Sequence, residues 1–172
     1  MTHHAPTRPT VLFVCKSNRG KSQMAEALLR HAAGDAVEVH SAGTRPALGQ
    51  SPNAEAVVAL AELGADMSGG TAAAVDHDIM RRADRVVVLG TAARLEPVDG
   101  MRSAIDVWET DEPSERGIEG AERMALIRDD IDDEFDHLSN LNRVVELRKL
   151  LDPREKIGLL LQPDPDPDGI AS

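Results

Sequence analysis

Cys15 is the only cysteine in the 172-residue chain, and it opens the run Cys15-Lys16-Ser17-Asn18-Arg19-Gly20-Lys21-Ser22. A thiol in that company is placed to attack an anion. Short polar loops that contain glycine turn their backbone N–H groups towards one point. Where such a loop runs into a helix, the unpaired donors of the first helical turn join them. The concavity suits a tetrahedral oxyanion. The same donors, with the cations Lys16, Arg19 and Lys21, favour an ionised and nucleophilic sulfur at Cys15. A lone cysteine that ends a strand is otherwise a small buried hydrophobe, and a core cysteine has no need of this polar neighbourhood. Without a second cysteine there is no intramolecular disulfide, and a cysteine-rich zinc site cannot be built.

Within the loop, Lys16, Ser17, Asn18, Arg19, Gly20 and Lys21 are the candidates for binding the anion, and Cys15, Lys21 and Ser22 for catalysis. Lys21 and Arg19 would meet the anion's charge, and a hydrogen bond from Ser22 would hold Cys15 as thiolate. Asn18 either braces the loop with side-chain hydrogen bonds or is a plain turn residue.

The elements around the loop follow from hydrophobic patterning. Val11 to Val14 are continuously apolar, as in a strand covered on both faces, and Ser22 to Arg30 carries helix formers with Met24, Leu28 and Leu29 at helical spacing. Val37 to His40 predicts a second strand, ended by Ser41-Ala42-Gly43-Thr44. Ser51-Pro52 reads as an N-cap with proline at the first helical position, opening an alanine-rich helix from Ala54 to Leu63 that Gly64 stops. Asp76 opens a short helix through Arg82. Strands follow at Arg85 to Leu89 and at Ile105 to Trp108. A polar loop, Glu109 to Ser114, leads to a long helix from near Ile118, whose apolar face is Met124, Ile127, Ile131, Phe135 and Leu138. Repeated strand–helix–strand units imply an α/β fold: a doubly wound, three-layer, four-stranded parallel sheet with right-handed crossovers. The Cys15 loop then lies at the carboxyl end of the first strand, where such sheets bind ligands.

Length and charge narrow the function. The chain suits one domain with a sizeable core. Residues 1 to 9 lack the apolar core of a signal peptide, and no run approaches the ~18 apolar residues of a membrane span, so a cytoplasmic protein without membrane contact is expected. His3 and His4 belong to an irregular start rather than a metal site. The net charge of −11 argues against nucleic acid as a partner and repels free anions at long range. Locally the sign reverses, because residues 1 to 31 hold Arg8, Lys16, Arg19, Lys21 and Arg30 against Glu26 alone. Acids cluster instead from Glu109 to Asp136, mostly as a solvated helix face. Beyond the domain, expected to span residues 10 to 138, a helical extension over 139 to 161 carries Leu141, Val144, Val145, Leu147, Leu150 and Leu151. That apolar strip either packs on the domain or is buried in a homodimer. Residues 162 to 172, with alternating Pro and Asp, read as disordered.

The strand-Cys-loop-helix, the Ser-Ala-Gly-Thr after the second strand, the Asp84-to-Leu89 strand and the Trp-acid-Pro loop before an Arg-Asp-x-Ile helix resemble the low-molecular-weight protein tyrosine phosphatases. Within that superfamily, Lys21-Ser22-Gln23-Met24-Ala25 and Glu112-Pro113 are similar to the arsenate reductases, in particular the single-cysteine arsenate-mycothiol transferases. The resemblance implies arsenate as substrate and no bound cofactor. It also implies a mycothiol-like small thiol as cosubstrate, and a glutaredoxin-like protein that releases arsenite from an arseno-thiol adduct. Glu112, directly before the proline, stands where the family keeps its general acid, with adjacent Asp111 as the alternative. Family phosphatases carry arginine six residues after the nucleophile, and this chain has Lys21 there. A point charge cannot reproduce the bidentate clamp on a phosphoryl group. Ser114 follows the acid-loop proline where the phosphatases place an aromatic residue. The thioredoxin-linked arsenate reductases carry further cysteines at positions matching Gly90 and Pro97, so here the reducing equivalents must come from a second molecule. Cys15 then either forms a covalent arsenic intermediate or assists attack by that thiol. The rival readings are a conventional phosphatase and a non-catalytic oxyanion-binding module.

Overall fold

The computed structural model describes residues 8–141, with side chains as far as Asp136. The readings of His3 and His4, of the Leu138 side chain, of the extension beyond Leu141 and of the 162–172 tail lie outside the described residues.

Four parallel strands form the sheet: β1 (Thr10–Cys15), β2 (Glu38–Gly43), β3 (Arg85–Leu89) and β4 (Ile105–Trp108), in the spatial order β2-β1-β3-β4. The helices are α1 (Lys21–Ala33), α2 (Ala54–Ala61), α3 (His77–Arg82) and α4 (Gly120–Leu141). Every residue of β1 and of β3 is buried, which is why these strands read as unbroken apolar runs rather than as alternations. Alternation survives in what each side chain meets. Val11 and Phe13 pack with α1, α2 and α4, whereas Leu12 and Val14 pack with Met80 of α3 and with Ala83 and Ala93. The order reverses direction between β1 and β3, so the end of β1 is the topological switch point.

The chain's three aromatic residues form one cluster beneath that end. Phe13, Trp108 and Phe135 are mutual neighbours, with ring centroids 5.2 to 6.0 Å apart and tilted or edge-to-face planes. Trp108 is thereby a core residue that closes β4. Met124, Ile127 and Ile131 continue the same face of α4 into the core, as their spacing predicts.

Several boundaries differ from the sequence expectation. The N-cap of α2 is Asn53 rather than Ser51: its Oδ1 accepts from the N–H groups of Glu55 and Ala56, while the carbonyl of Ser51 accepts from Arg19. Strand β2 continues through Ser41 and Ala42 to Gly43, because that segment pairs in register with Phe13 to Cys15 of β1. A short 3-10 turn at Pro113–Arg116, not foreseen, precedes α4, which starts at Gly120, close to the expected Ile118. Asp76 does cap α3, accepting from Asp78 and Ile79. No helix among the described residues is long and apolar enough to cross a membrane.

Glu38 ties the start of β2 to the rest. Its carboxylate accepts from both terminal nitrogens of Arg82 (2.7 and 3.0 Å) and from Thr10 Oγ1 (2.8 Å), and contacts His40. Chiefly through Arg82, these bonds hold the carboxyl well below the usual carboxylate range. A group depressed in the folded state stabilises above its unfolded pKa, and that contribution fades as pH falls towards the folded value. Glu38→Gln should therefore cost about 1 kcal/mol in urea unfolding at pH 7, the partial exposure of Arg82 limiting the effect. The gap to wild type should stay constant down to about pH 5 and then narrow progressively as pH falls towards the folded value.

Candidate active site

The Cys15 loop is held from behind by Asn18. This residue is fully buried and adopts φ +58°, a left-handed conformation that asparagine tolerates better than other side chains with a Cβ. Its amide nitrogen donates to Ser22 Oγ (2.8 Å) and Ser41 Oγ (3.0 Å), and its Oδ1 accepts from the N–H of Ala73 (2.8 Å). Its carbonyl accepts from Gln23 Nε2 (2.6 Å). One side chain thus joins α1, β2 and the loop before α3. Ser41 in turn donates to Glu26 (3.3 Å), whose carboxyl is raised by burial.

The same bracing positions the sulfur. Ser22 Oγ lies 3.0 Å from Cys15 Sγ, and the Asn18 N–H donates to that sulfur at 3.2 Å. Ser22 Oγ also accepts from Asn18, so the hydroxyl beside the sulfur is itself held in place. Helix α1 has no side-chain cap at Gly20, so its first-turn N–H groups face the loop as an uncapped positive end. The loop's outer rim is sewn to the next segment by Thr44 N–H to the Cys15 carbonyl (3.0 Å), Arg45 N–H to Lys16 (2.8 Å) and Asn53 N–H to Arg19 (2.8 Å). Gly43 is required by this approach: a Cβ there would lie 2.7 Å from the Lys16 carbonyl oxygen.

Lys21 and Glu112, distant in sequence, form an ion pair across the pocket. The lysine passes over Gly90, at φ +82°, where a Cβ would meet Lys21 Nζ at 2.9 Å, Thr110 Oγ1 at 3.3 Å and Glu112 Oε1 at 3.5 Å. Asp111, the alternative acid, points elsewhere: Arg116 grips it with two bonds of 2.7 and 2.9 Å and holds its carboxyl below the usual range. Of the two carboxylates, Glu112 is the one that lines the cleft.

A cleft of about 370 Å³ collects Cys15, Lys16, Ser17, Arg19, Gly20, Lys21 and Glu112. Ser22 and Asn18 stand behind its lining, as supports. Arg19 commits its Nε to the Ser51 carbonyl at 2.8 Å and so anchors the segment before α2 as well as lining the cleft. The rest of the lining comes from Ala47, Asn53, Leu89, Ala92, Arg123, Met124 and Ile127. Sequence reasoning missed these residues as part of the site. Met124 and Ile127 were legible as core positions, and Arg123 is a cation next to that face, but only packing shows that the upper edge of the helix is left to line a cleft. Arg123 Nε and Thr110 Oγ1 are buried without a hydrogen-bond partner among the described residues.

Alkylation of Cys15 by iodoacetamide tests this cradle. Inorganic phosphate should slow the reaction by occupying the loop, and in Asn18→Ala, where the brace is gone, half-protection should need at least about tenfold more phosphate. Equal protection in both proteins would show that Asn18 does not shape the anion site.

A model of the family described as low molecular weight phosphotyrosine protein phosphatase matches residues 10–146. The arsenate reductase of Bacillus subtilis is 37% identical over 125 residues, spanning 70% of this chain and 88% of the relative. That of Bacillus licheniformis is 36% identical over 129 residues, spanning 73% and 91%. Among solved structures, a thioredoxin-dependent arsenate reductase of Corynebacterium glutamicum superposes with a TM-score of 0.64 at 30% identity, over 83% of this chain and 65% of that one. The fold alone is shared with a tyrosine phosphatase of Erwinia amylovora, at a TM-score of 0.60, 18% identity and coverage of 77% and 91%. With its Cys15 loop at the switch point of a four-stranded parallel sheet, the chain belongs to the low molecular weight phosphotyrosine protein phosphatase family.

Proposed function

We propose that this protein is an arsenate reductase that draws its reducing equivalents from a separate small thiol of the mycothiol type. The observation that carries the reading is the pairing of Lys21 with Glu112 over Gly90, in a chain whose only thiol is Cys15. Gly90 matches the position of a resolving cysteine in thioredoxin-linked relatives. Here that position combines a left-handed backbone, which strains any side chain, with Lys21 Nζ 2.9 Å from where a Cβ would stand, so a side chain there would have to displace the lysine. The identity to the Bacillus arsenate reductases supports the same substrate.

Arsenate enters the loop and gives Lys21 a second anionic partner. Lys21 turns from Glu112 towards the oxyanion, which frees the carboxyl to carry a proton. The Cys15 thiolate attacks arsenic; an S–As bond forms, one As–O bond breaks, and the oxygen departs as water with a proton from Glu112. The sulfur of the small thiol then displaces Cys15 from arsenic, still As(V), and the enzyme thiolate is regenerated. Reduction follows off the protein: a thiol of a glutaredoxin-like partner attacks the adduct sulfur, the two sulfurs form a disulfide, and arsenic takes the electron pair and leaves as arsenite. The cleft exceeds the size of one tetrahedral anion, and its apolar wall of Leu89, Met124 and Ile127 gives the thiol a surface beside the sulfur.

Two measurements test the reading. With arsenate, candidate thiols and a redoxin, wild type should form arsenite and Cys15→Ser should form none while remaining folded, because a hydroxyl is a far weaker nucleophile. Lys21→Ala should lower arsenate turnover by roughly 10²–10³, the cost of removing an oxyanion-stabilising group. Lys21→Arg should gain aryl phosphate hydrolysis by restoring a bidentate clamp. Efficient aryl phosphate hydrolysis by wild type, with arsenate conversion untouched in Lys21→Ala, would instead establish a phosphatase.

A further inference from the structure

A second recess, of about 380 Å³, adjoins the Cys15 cleft and is lined by Lys16, Thr44, Arg45, Ala92 and Arg94. Its residues come from three loops at the carboxyl ends of β1, β2 and β3. Lys16 and Ala92 also line the cleft, so the two hollows share a wall. The lining holds three cations and no carboxylate. None of the three cationic side chains takes part in the ion pairs among the described residues, whereas Lys21, Arg82, Arg116 and Arg128 are each matched with an acid. Bringing unpaired cations together costs repulsion unless an anion joins them. The recess is also fixed to the reacting loop, through Thr44 N–H to the Cys15 carbonyl and Arg45 N–H to the Lys16 carbonyl.

Net charge supplies the reason for such a feature. A chain of −11 repels oxyanions from most directions, yet its cleft must receive one. Cations at the mouth act within a Debye length of about 8 Å at physiological ionic strength, the range over which an approaching anion is still steered. Arg45 and Arg94 present planar forks suited to two oxygens of one tetrahedral anion, and the Thr44 hydroxyl adds a donor.

We propose that this recess is a second oxyanion subsite, an entry site that captures the tetrahedral anion and passes it across Lys16 to the Cys15 loop. That the captured anion is arsenate rests on the function proposed above; that the recess binds a tetrahedral oxyanion does not. Being exposed, the site is weak and sensitive to salt.

The test uses inorganic phosphate and protein whose Cys15 has been carbamidomethylated, which blocks the inner loop. Calorimetric titration at low salt should show one equivalent of phosphate bound, with affinity falling about tenfold between 50 and 200 mM salt. The double variant Arg45→Gln/Arg94→Gln, treated in the same way, should bind none. Before alkylation, the double variant should show kcat/KM for arsenate reduced about tenfold, at the low end of steering effects, with kcat unchanged. Absence of phosphate binding to the alkylated wild type, or equal binding to the alkylated variant, would overturn the proposal. Phosphate binding that depends on Arg45 and Arg94, in a protein that turns over no arsenate, would uphold the subsite and refute the arsenate reading.

Discussion

The buried amide of Asn18 is the constraint on which the reacting centre depends. A side chain with no exposure must place its donors and acceptor on protein partners, and here these are Ser22, Ser41 and Ala73, on three separate segments. Each bond fixes one part of the loop. The bond to Ser22 holds its hydroxyl 3.0 Å from the sulfur. The bonds to Ser41 and Ala73 pin the loop to the end of β2 and to the segment before α3. The left-handed backbone at Asn18 bends the chain so that its own N–H reaches Cys15 Sγ. A turn residue chosen only for its φ would achieve the bend without the three attachments.

Around that fixed loop, charge is distributed by pairing. Most basic side chains among the described residues are committed, as Arg82 is to Glu38, Arg116 to Asp111, and Arg128 to Glu62 and Asp129. Lys21 is committed too, to Glu112 across the cleft, so in the proposed reaction binding of an anion and release of Glu112 are one event. Lysine suits this exchange. A single ammonium on a flexible stem can turn between two partners, whereas a guanidinium fork is fixed by its geometry on one. The glycine at position 90 is the structural counterpart of that choice, since the stem crosses the backbone there.

Much of the architecture was legible from the sequence because the physical signals are local. Unbroken apolar runs at Val11–Val14 and Val86–Leu89, helical spacing along α4, and the cap at Asp76 each identify an element from adjacent residues, and the βαβ rhythm then leaves few topologies. Boundaries shifted where a tertiary bond overrode a local preference. Ser51 lost the cap of α2 to Asn53 while its carbonyl took Arg19, and β2 ran on to Gly43 because β1 offered it partners to the end.

The sequence by itself determined the groups available for chemistry: one thiol, a polar loop opening a helix, a lysine six residues after the thiol and an acid before Pro113. Residue types and short spacings decide those properties, and they do not change on folding. Only the tertiary structure decided which acid faces the loop, that Lys21 crosses Gly90 to reach it, and that α4 supplies part of the lining. It also placed three unpaired cations from separate loops around one recess. The physical reason is the parallel sheet. Its crossovers bring the carboxyl ends of β1, β2, β3 and β4 to one edge, so residues as far apart in the chain as Lys21 and Glu112, 91 positions, become neighbours through strand order, which no local pattern encodes.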